Sequence, residues 1–224
     1  MERHFDEELK ELKQDILKMG TFAEEAIYKS VEALKNRDKS LAQSVIDNDN
    51  NVDNLELAID EKCIDLIARY QPLAGDLRFI TTGMKINAEL ERIADIAVDI
   101  AQRTQEIADQ PLLKPLVDIP KLTVIAQNMV KMAIDSFVKG DIELAKKVLL
   151  SDPEADELRN LIHKELVEDY MLKNCSTAPR AVQLLLVARF LERICDHTTN
   201  IAEDVIYMVQ AEVVKHHPEK IKGD

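Results

Sequence analysis

Leu90-Glu91-Arg92-Ile93-Ala94-Asp95-Ile96-Ala97-Val98-Asp99-Ile100-Ala101 recurs 101 positions later as Leu191-Glu192-Arg193-Ile194-Cys195-Asp196-His197-Thr198-Thr199-Asn200-Ile201-Ala202, with seven of twelve residues identical. A second copy of this length, outside any low-complexity tract, marks an internal repeat. Ile86, Leu90, Ile93, Ala97 and Ile100 fall on one narrow stripe of a helix, whereas Glu91, Asp95 and Asp99 lie about 140°, 180° and 220° from its start. In the second copy Val187, Leu191, Ile194, Thr198, Ile201 and Val205 take the inner stripe, and Glu192, Asp196 and Asn200 the outer one. Each copy therefore reads as a helix with an apolar core face and an outward acidic face.

Two further helical patterns precede the first copy. Leu9, Leu12, Ile16, Met19, Ala23, Ile27, Val31 and Leu34 recur at spacings of three and four, predicting an amphipathic helix from about Phe5 to Asn36. Asn36-Arg37-Asp38 breaks the pattern, and Asp38 is the expected N-cap of a second helix reaching about Tyr70. Asp47-Asn48-Asp49-Asn50-Asn51, poor in helix formers, predicts weakness or a kink in its middle. Gln71-Pro72-Leu73-Ala74-Gly75-Asp76 supplies turn chemistry before a third helix, expected over roughly Asp76 to Asp109. Three long rods joined by short turns make an antiparallel three-helix bundle.

The second half repeats this order. Asp141, Asp152 and Asp156 lie 103 positions after Asp38, Asp49 and Asp53, and the offset falls to 101 at the acidic helix. The expected architecture is all-α: a first three-helix repeat over 1–110, a proline-rich linker over 111–120, a second repeat over 121–214, and a polar tail over 215–224. His216-His217 in that tail is better read as a frayed helix end than as a metal site.

Composition narrows the function. The scarcity of aromatics and glycine suits long helices with aliphatic packing. A net charge of −13 opposes nucleic-acid backbones and anionic lipid, so neither nucleic-acid binding nor membrane insertion is expected. No stretch is long and apolar enough to span a bilayer, and Cys63, Cys175 and Cys195 form no CxxC pattern. A cytoplasmic protein is the expectation. No glycine-rich phosphate loop, nucleophile elbow or local Cys–His signature indicates an enzyme.

An acidic outer face suits plain solvation, but acids at i and i+4 repel one another, and stacking them twice gains nothing for solubility alone. Carboxylates on successive turns can present several oxygens to a hard divalent cation or to iron. On the second helix Asp49, Asp53, Glu56 and Asp60 line the flank of the apolar stripe, where they could face a neighbouring helix. Arg159 stands where Glu56 does in the first half, and His163 where Asp60 does, so the fifth helix departs from symmetry. The Glu-x-x-His motif of di-iron bundles is absent. A metal-storage or redox bundle is the alternative function, and it would need inward-facing ligands.

The duplicated Glu-Arg-Ile-x-Asp motif, here Glu91–Asp95 and Glu192–Asp196, resembles the PhoU family of phosphate transport system regulatory proteins. Met19-Gly20, the stretch Asn51–Asp60 and Gln71-Pro72-Leu73-Ala74-Gly75-Asp76-Leu77-Arg78 carry the same likeness, in the family's order over nearly the whole chain. The resemblance implies two three-helix bundles and a non-enzymatic negative regulator of phosphate uptake and of the phosphate-starvation response. Its implied partners are the ATPase of a phosphate ABC transporter and a sensor histidine kinase, with a second copy of the chain as a further candidate. It also implies iron or other divalent metal ions held on surface motifs, which correspond here to Glu56 and Asp60, Glu91 and Asp95, and Glu192 and Asp196, with Asp99 and Asn200 as extensions. The family commonly has Gly where this chain has Ala94 and Cys195.

Overall fold

A computed structural model describes residues 2–214, and the polar tail with His216 and His217 lies outside the described residues. The first repeat consists of α1 (Glu2–Asn36), α2 (Lys39–Tyr70) and α3 (Ala74–Ile107). The second consists of α4 (Asp118–Lys139), α5 (Ile142–Glu165) and α6 (Ala178–Gln210). Among the described residues there is no strand, and the all-α expectation holds.

Local sequence accounts for the duplicated turns. Asp38 and Asp141 each cap the following helix, accepting from the backbone N–H of Leu41 at 2.9 Å and Leu144 at 3.0 Å. Each is preceded by a left-handed residue, Arg37 at φ 57° and Gly140 at φ 64°. Glycine adopts that conformation without steric cost. At Arg37 the side chain is engaged instead, since Nε and Nη2 donate to the Ala108 carbonyl at 2.9 and 2.6 Å and so tie the first turn to the end of α3.

The run expected to weaken or kink α2 does not interrupt it. The helix runs continuously through Asp47–Asn51. Val45 and Val52 are buried on either side of the polar run, and side-chain bonds along the exposed face, such as Asn51 to Asn48 at 2.7 Å, satisfy groups that would otherwise compete for the backbone. Tertiary burial thus overrides propensities worth only tenths of a kcal/mol per residue.

Irregular chain occupies 108–117, and Asp118-Ile119-Pro120 already belongs to α4. Pro120 is accommodated in the first helical turn, where the missing N–H has no intrahelical acceptor to satisfy. Lys114 pairs with Glu165, and Arg180 Nη1 donates to the Pro111 carbonyl at 2.9 Å. The repeats diverge most at the second turn: α5 passes into a π-helical turn over Leu166–Met171 and then a 3₁₀ turn over Cys175–Thr177.

The two bundles do not keep separate cores. One continuous apolar cluster runs from Leu12 and Ile16 in α1 to Ile201 and Val205 in α6. Phe79 of α3 stacks on Phe137 of α4, with centroids 5.0 Å apart and planes 10° from parallel. Along the α3–α6 seam Arg78 reaches the Met208 carbonyl, Lys85 reaches Asp204, and Glu89 reaches Asn200 and His197. Partner numbers fall as α3 numbers rise, so the two acidic helices lie antiparallel and back to back.

Candidate metal centre and its degenerate copy

Asp49 and Asp53 stand one turn apart on α2 and face Asp95 on α3. One carboxylate oxygen from each lies within 4.8 Å of the other two. Oxygens bound to one ion at ~2.4 Å lie no more than about 4.8 Å apart, so this spacing is compatible with three ligands to one hard cation. The Oδ1 atom of Asp49 is buried without a hydrogen-bond partner. A carboxylate oxygen buried without a donor is a group that a bound cation could satisfy.

The protonation equilibria register the same crowding. Burial, then Asp95 and Asp53, push the Asp49 carboxyl up to about 6. Burial, then Asp95, Glu56 and Asp53, push Glu91 up to about 7. Asp95 is raised by burial, Asp53 and Asp99, partly offset by a hydrogen bond with Glu91. Glu56 is raised by burial, then by Asp60 and Asp53. Without a cation, protons take over part of the neutralisation.

The sequence-expected ligands divide accordingly. Asp95 belongs to the close group, and Glu56 and Glu91 flank it. Asp60 is engaged elsewhere, accepting at 3.1 Å from Asn87, a fully buried α3 side chain that also donates to the Glu56 carbonyl at 2.9 Å. Asp99 lines a cleft between the repeats together with Arg92, Arg193 and His197. Asp49 and Asp53 are absent from the set carried over by resemblance. The clue to them is the Asp-x-x-x-Asp spacing, repeated at Asp152 and Asp156.

In the second repeat the outward orientation fails for Glu192, which is only 5% exposed. Two guanidinium groups make that burial possible. Arg189 Nη1 donates to its two carboxylate oxygens at 2.6 and 2.7 Å, and Arg159 Nη2 donates from α5 at 3.2 Å. Asp196 remains exposed. Asp152 is pushed up to about 6 by burial, then by Asp196, Asp156 and Glu192. Asn200 turns towards the other repeat and donates to Glu89 Oε2 at 3.2 Å. His163 is exposed and joins no close ligand group among the described residues.

His197 is an inter-repeat residue, its Nδ1 lying 2.7 Å from Glu89 Oε2. Cys195 is fully buried, and burial with the surrounding acids raises its thiol far above the ordinary range. Cys63 is likewise buried, which pushes its thiol up to about 12. Neither has the character of a reactive thiolate.

The profile of the PhoU domain matches the chain twice, over residues 16–104 and 119–205. The chain belongs to the PhoU family. It is 43% identical over 217 residues to a phosphate-specific transport system accessory protein PhoU homolog of Aquifex aeolicus, covering 97% of this chain and 98% of that one. It is 34% identical over 215 residues to the PhoU accessory protein of Escherichia coli, covering 95% and 88%. The crystal structure of PhoU from Pseudomonas aeruginosa superposes with a TM-score of 0.88 at 35% identity, covering 93% of this chain and all of the other. That of the phosphate transport system regulatory protein PhoU from Streptococcus pneumoniae gives 0.87 at 27% identity, covering 94% and 99%. The structural likeness thus covers more than nine-tenths of the chain, and both family matches include an acidic helix.

Proposed function

We propose that this PhoU-family chain is a non-enzymatic negative regulator of phosphate uptake, acting between the ATPase of a phosphate ABC transporter and a sensor histidine kinase. What supports the reading is similarity over nearly the full length of relatives named as accessory proteins of the phosphate-specific transport system. Removal of the gene should derepress phosphate-starvation genes in phosphate-replete cells, and unchanged transcript levels would sink the regulatory role. Affinity capture of the tagged chain from the same cells, followed by mass spectrometry, should recover the transporter ATPase and the kinase.

Metal binding is the second part of the proposal. Asp49, Asp53 and Asp95 would hold a hard divalent cation or iron, with Glu56 and Glu91 beside them, and the convergence of the three carboxylates carries the reading. A bound cation supplies positive charge that relieves the repulsion across the α2–α3 seam and changes the surface a partner meets. Elemental analysis after gentle purification should find metal in the wild type, and none at this seam in Glu91→Ala/Asp95→Ala. Equal metal content in both would exclude the site.

A further inference from the structure

We infer that Arg159 is the resident cation of the second acidic cluster, fulfilling in repeat two the role metal has in repeat one, so that metal loads the first cluster alone. The inference rests on the metal reading proposed above. Four acids keep their places between the repeats: Asp49 and Asp152, Asp53 and Asp156, Glu91 and Glu192, Asp95 and Asp196. Two positions gain a guanidinium, Glu56 becoming Arg159 and Ala88 becoming Arg189, and two more lose a carboxylate, Asp60 becoming His163 and Asp99 becoming Asn200.

The consequence is visible at Glu192. Arg159 crosses from α5 to α6, 3.2 Å from Glu192 Oε1 and 3.6 Å from Asp156 Oδ1. Arg189 occupies both Glu192 oxygens from the same helix. A guanidinium and a divalent cation compete for the same carboxylate lone pairs, and two fixed positive charges repel a third. At the first seam Arg92 lies instead 3.4 Å from Glu89, and Asp49 Oδ1 has no hydrogen-bond partner. One seam therefore holds guanidinium groups against Glu192 and Asp156, whereas the other has none on its close carboxylates.

Mn²⁺ titration of the full chain by calorimetry, with elemental analysis of the loaded protein, tests this. Asp53→Asn/Asp95→Asn should lose all stoichiometric Mn²⁺, whereas Asp156→Asn/Asp196→Asn should retain the wild-type stoichiometry. Arg159→Glu should gain a second class of sites, at least tenfold tighter than any residual binding there in the wild type. Arg159→Gln, checked for helicity by circular dichroism, serves the same purpose with a weaker gain should the charge reversal unfold the repeat. In the wild type, chelation should speed amide exchange along α2 and α3 and leave α5 and α6 unchanged. Mn²⁺ retained by the first double variant and lost by the second overturns the inference while leaving metal binding intact. Folded Arg159 variants that gain nothing overturn it as well. A wild type that takes no Mn²⁺ removes the metal reading and the inference together, and is recognised because neither double variant then differs from it.

Discussion

Glu89 of α3 and His197 of α6 meet across the two repeats, with Oε2 and Nδ1 2.7 Å apart and side chains only 14% and 18% exposed. Burial pushes the Glu89 carboxyl up, but the hydrogen bonds from His197 and Asn200 outweigh it and hold the group below the ordinary carboxylate range. Glu89→Ala would leave two polar partners without their shared acceptor, at a cost of about 1–3 kcal/mol in urea unfolding. Glu89→Gln retains an acceptor and should lose less. Equal stability of Glu89→Ala and wild type would mean that water replaces the bond freely.

Gly20 of α1 packs directly against the Ile134 side chain of α4. A Cβ at this position would lie 2.2 Å from Cδ1 of Ile134 and 3.1 Å from its Cγ1. Gly20→Ala gains helix propensity but overpacks the seam, so a net loss of about 1–2 kcal/mol is expected. Ile134→Val removes the offending methyl and should restore most of the loss in the double variant. Additive single effects would show that the contact does not limit the packing.

The helical stripes are legible in sequence because Leu, Ile and Ala recur at helical period, and the repeat is legible because Asp38 and Asp141 cap the same turn. The inter-repeat seam is not. Lys85, Glu89, Arg92, Ile96 and Asp99 recur at spacings of four and three on a further face of α3, but four of the five are charged and read as solvated surface. Only buried Ile96 betrays the neighbour. At the acidic cluster the residue types and their repetition point to cation chemistry, whereas the pairing of Asp49 and Asp53 with Asp95 depends on the register of α2 against α3. Glu192 misleads for a related reason: helical periodicity places it outward, and the two arginines that allow its burial come from another turn and another helix.

The duplicated caps make a paired experiment possible. Asp38→Ala and Asp141→Ala each remove an acceptor from a helix N-terminus, at about 1 kcal/mol apiece. Because one continuous core joins the repeats, each variant should still unfold in one transition at a lower midpoint. A split transition would mean that the repeats fold as separate units. Asp→Asn at either position should be close to neutral, since the amide oxygen also caps.

The crowded first cluster should make the chelated protein respond to pH in a defined direction. Glu91, pushed up to about 7, and Asp49, pushed up to about 6, lie above their ordinary values of 4.5 and 3.8. Between these limits the folded chain holds protons that the unfolded chain has released, so the two groups contribute stability fully present below about pH 4 and lost as pH rises through 6 and 7. In EDTA, Asp49→Asn/Glu91→Gln should match wild type near pH 4 and exceed it at pH 8. With solvent screening discounted, the gain should be about 2–4 °C in Tm, on the order of 1 kcal/mol for a chain of this size. Mn²⁺ affinity should move the opposite way, rising over the same window, because cation and proton compete for the same oxygens. A Tm difference between variant and wild type that stays constant from pH 4 to 8 would show that the carboxylates are solvated well enough to titrate normally, which would also remove the electrostatic need for a cation at this seam.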